Sequence, residues 1–178
     1  MSAIVTIFGS SRPLPDSEEY GFAYETGRAL AEAGFSVCNG GYAGTMEATA
    51  RGVREAGGHT IGVTSGVFAK KANPWIEEEI KTATMVDRLL KLIEIGQAYV
   101  ILRGGTGTLL ELAAVWEFVN KGMMARKPIL VLGPFWDAVV ASLKDELVWE
   151  GLGDCTSHVT QVATPPECVC ELKRTLGR

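Results

Sequence analysis

An apolar run of strand length, Ala98 to Leu102, stops at Arg103-Gly-Gly-Thr-Gly107 and opens directly into a helical stretch from Thr108 to Lys121. A strand that ends in glycines and turns at once into a helix leaves few folds open. The turn brings unpaired N–H groups and the positive end of a helix dipole to one point. That point is a seat for an anion, and Glu111 lies one turn beyond it. The same grammar runs along the chain. Strands are predicted at Ala3 to Phe8, Phe35 to Cys38, Thr60 to Thr64, Pro128 to Leu132 and His158 to Ala163, with a short extended piece from Ile80 to Ala83. Helices are predicted over Glu18 to Ala33, Thr45 to Ala56, Met85 to Gly96, Trp136 to Val148 and Pro165 to Leu176. Ser65 to Glu79 reads as a polar loop, and Thr84 with Asp87 has the spacing of a capping box.

Such β-then-α alternation predicts an α/β fold with a mostly parallel sheet and helices on both faces. Ligands of such sheets sit beyond the carboxyl ends of the strands, where the glycine loops fall. No linker or low-complexity tract divides the 178 residues, so a single domain over 1–178 is expected.

Three loops at strand ends are candidates to face one cleft: Gly9-Ser10-Ser11-Arg12, Gly40-Gly41-Tyr42-Ala43-Gly44-Thr45, and Gly104-Gly105-Thr106-Gly107-Thr108. Any one of them has a purely steric explanation, since tight turns use glycine. Three in one parallel sheet point to phosphate or ribose binding. The chain lacks Gly-Lys-Ser/Thr, so it is not a P-loop NTPase. It also lacks GxGxxG after the first strand, and no acid ends the strand after the second loop; a mononucleotide fits better than a dinucleotide.

Glu111 shares its helical direction with Ala114, Val115 and Phe118, away from the wet face marked by Glu117, Asn120 and Lys121. It is either a carboxylate held by the helix dipole or one placed in a pocket. Glu47, with Arg51 and Arg54 four and seven residues on, fits a solvated ion-pair ladder. Arg88 sits with Lys91 on the polar edge of its helix, and Arg12 follows the first loop; either suits recognition of phosphate or carboxylate.

Net charge is −4, which provides no basic field for a nucleic-acid partner. No long apolar stretch or leader is present, so neither a membrane span nor a signal peptide is expected. His59 and His158 form no metal cluster, Gly-x-Ser-x-Gly is absent, and no cofactor is expected. Four cysteines without a CxxC pair read as free thiols of a cytoplasmic protein. Any chemistry must run on carboxylate and arginine.

Met85-Val-Asp-Arg88, followed by Arg103-Gly-Gly-Thr-Gly-Thr-Leu-Leu-Glu111, resembles the MHxRK and PGGxGTxxE motifs of the Lonely Guy (LOG) family. Gly40-Gly-Tyr-Ala-Gly44-Thr-Met is similar to that family's earlier glycine loop, and Gly9-Ser-Ser to its first-strand turn. The resemblance implies a Rossmann-like fold, a homodimer, and a phosphoribohydrolase that splits nucleoside 5′-monophosphates into free base and ribose 5-phosphate. AMP and N6-substituted AMP, the cytokinin nucleotides, are the substrates it implies. It places the catalytic pair on Arg88 and Glu111 and the phosphate loop on Gly104, Gly105, Thr106, Gly107 and Thr108. Arg103 stands where the family has proline, Val86 and Leu89 where it has histidine and lysine, and Glu47 where cytokinin-activating members usually carry glycine. These departures keep a second reading open, a binding or carrier protein for a nucleotide or the molybdenum cofactor. The name lysine decarboxylase, which many relatives carry, finds no support in these residues.

Overall fold

The computed structural model describes residues 2–68 and 70–177. Seven strands, β1 (Ile4–Phe8), β2 (Ser36–Asn39), β3 (Thr60–Ser65), β4 (Glu78–Thr82), β5 (Ala98–Ile101), β6 (Ile129–Leu132) and β7 (Val159–Val162), form one sheet. Its order is β4-β3-β2-β1-β5-β6-β7, and every pairing is parallel. Strands buried on both faces read as continuous apolar runs, and β2, β3, β5 and β6 are buried at every position. The fold is α/β and Rossmann-like.

Alternate residues of each strand feed two cores, as a period of two requires. On one face, Val5, Ile7, Val37, Val100 and Leu130 meet α1 (Glu18–Glu32), α2 (Thr45–Glu55) and α6 (Pro165–Leu176). On the other, Ile61, Val63, Tyr99, Ile101 and Val131 meet α3 (Met85–Ile95), α4 (Thr106–Asn120) and α5 (Asp137–Trp149). Two short 3-10 segments, Pro134–Trp136 and Gly153–His158, flank α5.

Two differences from the predicted elements have clear causes. β4 begins at Glu78, two residues before the expected extended piece, because Glu-Glu-Ile-Lys-Thr is the charged sequence of an edge strand, paired with β3 alone. The helix after β5 begins at Thr106, two residues earlier than expected, with Gly105 as its N-cap.

The chain runs outward from β1 to β4 and then returns to β5 on the other side of β1. Adjacent loops after β1 and β5 therefore diverge, which opens a crevice at their carboxyl ends. α3 is set rigidly beside it. Thr84 Oγ1 accepts from the Asp87 N–H while the Asp87 carboxylate accepts from the Thr84 N–H, completing the capping box. At the other end, Lys127 Nζ donates to the carbonyls of Gly96 (2.6 Å) and Ile93 (3.3 Å), a cation on the negative end of the helix.

Candidate functional site

The crevice is a cleft of about 490 Å³ between the loop after β1, the first turns of α4 and the start of α3. Its first wall is shaped by the second glycine loop. Thr45 donates to the Ser10 carbonyl through both its N–H (2.8 Å) and its Oγ1 (3.1 Å). A Cβ on Gly9 would collide with the Thr45 hydroxyl, and one on Gly44, which has φ +71°, would run into the backbone of Ser10 and Ser11. Gly44 and Thr45 thus fix the β1 loop in place and do not themselves line the cleft. Gly41 (φ +74°) turns the backbone above β2, its N–H given to Asn39 Oδ1.

The second wall is the open end of α4. Gly105 caps the helix without a side-chain hydrogen bond, so the first-turn N–H groups have no capping oxygen. Gly105, Thr106, Gly107 and Thr108 all line the cleft. A Cβ on Gly105 or Gly107 would meet nothing within 4 Å, and neither residue has positive φ. Steric need within the chain therefore does not explain these two glycines, and without side chains they leave the backbone open to close approach from the cleft. Gly104 differs, because a Cβ there would strike the Thr108 side chain.

Arg88 and Glu111 both line this cleft, close enough for their charges to interact. Arg88 is 8% exposed, not a solvated partner of Lys91, which pairs with Glu94 at 2.6 Å. The guanidinium reaches under the second loop because Gly40 has no Cβ to block it. Nε donates to the Val63 carbonyl (2.8 Å), Nη2 to the Gly40 carbonyl (3.0 Å), and the group lies 5.4 Å from the Tyr42 ring centroid. Nη1 makes no hydrogen bond among the described residues and is left to the cleft. Burial lowers the Arg88 pKa, and the nearby Glu111 charge opposes that shift.

Glu111 sits in the second turn of α4, past the reach of a first-turn capping role. Its carboxyl forms no hydrogen bond or ion pair among the described residues. Although the residue is partly open to the cleft, protein crowds the carboxyl, and desolvation pushes its pKa up to about 7 against the pull of Arg88. A carboxyl with a raised pKa, no structural partner and a buried cation nearby is the arrangement that active sites build.

The cleft thus gathers Gly9, Ser10, Ser11, Arg88, Gly105, Thr106, Gly107, Thr108 and Glu111 from the sequence candidates. Gly40, Gly41, Gly44, Thr45 and Gly104 shape it from behind. Arg103 is turned away: it pairs with Glu19 (2.8 Å), lies 4.9 Å from the Phe135 ring centroid, and borders a separate hollow. Glu47 forms no ladder, since Arg51 pairs with Glu55 and Arg54 with Glu77, and it takes the Tyr20 hydroxyl at 3.4 Å instead. Phe68 and Lys70 line the cleft and were not singled out from the sequence, while Tyr42 and Met46 entered only as part of the second glycine loop. Among the described residues no group of side chains is fit to hold a metal ion, and no helix is long and apolar enough to cross a membrane.

A parallel sheet whose switch point holds an open helix start, a buried arginine and an unpaired carboxyl defines a Rossmann-like protein with a site for a small anionic ligand. The chain belongs to the SLOG cluster4 family, a LOG-like family whose model matches residues 2–169. The cytokinin riboside 5′-monophosphate phosphoribohydrolase of Mycobacterium tuberculosis is 35% identical over 116 residues, covering 64% of this chain and 62% of that protein. The pyrimidine/purine nucleotide 5′-monophosphate nucleosidase of Escherichia coli is 29% identical over 154 residues, 78% of this chain but only 33% of the longer enzyme. The molybdenum cofactor binding protein of Rippkaea orientalis has the same fold, with a TM-score of 0.76 at 21% identity over 99% of this chain and 98% of that one.

Proposed function

We propose that the protein is a nucleoside 5′-monophosphate phosphoribohydrolase, with AMP or N6-substituted AMP as substrate. The observation that carries this reading is the unpartnered Glu111 carboxyl beside the uncapped start of α4, with Arg88 nearby. The 5′-phosphate sits on the N–H groups of Thr106 to Thr108, and its binding energy positions the ribose. The C1′–N bond breaks with its electrons leaving on the base, and ribose passes through an oxocarbenium-like state. Glu111, as carboxylate, stabilises that charge and accepts a proton from the water that bonds to C1′; the departing base takes up a proton from solvent, and Glu111 returns its own to solvent. Arg88, fixed by two carbonyls, presents Nη1 to the substrate. Met85, Val86 and Leu89 give the cleft an apolar wall for the base in place of the family's polar histidine and lysine.

The test is release of free base and ribose 5-phosphate from AMP and N6-isopentenyl-AMP by the purified chain. Glu111→Ala is expected to lower kcat by about 10²-fold or more. No release from a panel of nucleoside monophosphates, or undiminished release by the variant, overturns the reading. Tight binding of a nucleotide or of the molybdenum cofactor without turnover would make the protein a carrier.

A further inference from the structure

A second lobe of about 550 Å³ adjoins the cleft and shares Ser11, Arg12, Tyr42 and Lys70 with it. Lys71 and Glu47 complete its charged lining. The cations here differ from those elsewhere in the molecule. Arg28, Arg51, Arg54, Lys81, Lys91, Arg103, Lys121 and Arg174 each pair with a carboxylate. Arg88, Arg126, Lys127 and Lys144 each donate to backbone carbonyls. Among the described residues only Arg12, Lys70, Lys71 and Lys173 have neither kind of partner, and three of these four converge on this one lobe.

A chain with net charge −4 has carboxylates to spare, yet leaves these three cations unanswered. Among the described residues Glu47 is the one carboxylate in the lining of this lobe. We propose that the lobe is a second anion subsite and that the preferred ligand is a nucleotide carrying another phosphate besides the one seated on α4. This rests on the nucleotide reading of the cleft and extends it. One phosphate lies at the start of α4, and the second, attached either to the first or to the ribose, meets Arg12, Lys70 and Lys71. Guanidinium and ammonium groups recognise phosphate in this way, by charge-assisted hydrogen bonds.

Isothermal titration of AMP, ADP and adenosine 3′,5′-bisphosphate tests the assignment, with the Glu111→Gln chain run in parallel as a non-hydrolysing control. Exposed ion pairs are individually weak, so three acting together are expected to give about tenfold tighter binding of ADP or the bisphosphate than of AMP. The doubly phosphorylated ligand that gains shows which placement the lobe reads. The preference is expected to fade as salt shortens the screening length. Lys71→Glu, which alters the second lobe alone, is expected to abolish the preference while Lys173→Glu, the same charge change on α6, preserves it. Equal affinity for all three ligands, or equal loss of preference in both variants, overturns the proposal. Base release from the nucleoside monophosphate panel reports separately on the hydrolase reading: its absence sinks that reading, while the ratio of affinities still decides this one.

Discussion

Glu111 has a cost that depends on pH. Its carboxyl holds a proton more tightly in the folded protein, up to about pH 7, than in the unfolded chain, where an ordinary glutamate loses it near 4.5. Between those values the unfolded state has released a proton that the native state still keeps. Stability from this group is therefore fully present below pH 4.5 and is lost as the pH rises through about 7. Glu111→Gln removes the charge but keeps the shape. It is expected to raise unfolding stability at pH 8 by on the order of 1–3 kcal/mol and to change little at pH 4. Urea titrations at the two pH values check this; an equal effect at both would show that burial is not what shifts the carboxyl. Retaining a destabilising group is the mark of a residue kept for its chemistry. Sequence alone gave its direction, through Ala114, Val115 and Phe118, but not the position of Arg88. That arginine is buried only because Gly40, 48 residues away in sequence, leaves room for it, and no local pattern reports such a fit.

At the scale of the element, α4 joins a well-packed helix to an uncapped start that lines the cleft. Its glycines separate into two kinds. Gly104 is demanded by the Thr108 side chain, whereas Gly105 and Gly107 face open space. Gly107→Ala is therefore expected to be tolerated or to stabilise by about 0.5–1 kcal/mol, because alanine loses less freedom in a helix. The same change is expected to weaken AMP binding, since the new methyl stands where phosphate must approach. Thermal unfolding and titration on one sample measure both, with Gly104→Ala expected to lose stability. Gly107→Ala binding AMP like the wild type would remove phosphate from this helix start. The elements themselves were legible to within a residue or two wherever apolar runs met glycines. β4 was legible only as a short extended piece, its start two residues late, because Glu78 and Glu79 carry an edge strand's solvation instead of a core strand's pattern. The early start of α4 escaped because glycine gives no capping side chain to read.

At the scale of the molecule, the apolar residues of α3 and α4 divide into those buried within the chain and those left open. Trp116 is buried within the chain with Nε1 donating to the Cys155 carbonyl, and Phe118 packs against the same core. Met85, Val86 and Leu90 on α3 and Leu110 on α4 remain 43%, 63%, 45% and 57% exposed. Val86 and Leu90 are one helical turn apart on the same side. Met85, Val86 and Leu110 also border the cleft, so whatever covers this face helps to close the site. We propose that a second copy of the chain covers it. The purified protein is then expected to run at twice the 19.1 kDa chain mass in light scattering. Val86→Asp with Leu90→Asp is expected to shift it to the monomer by placing charges in the desolvated centre of the interface. Trp149→Ser removes an 81% exposed side chain at the end of α5 and is expected to leave the mass unchanged. A monomeric wild type, or a dimer that survives both aspartates, would assign this face to something other than self-association. Leu90 does not line the cleft, so dissociation by Leu90→Asp alone, with loss of AMP binding, would show that the cleft is completed across the interface.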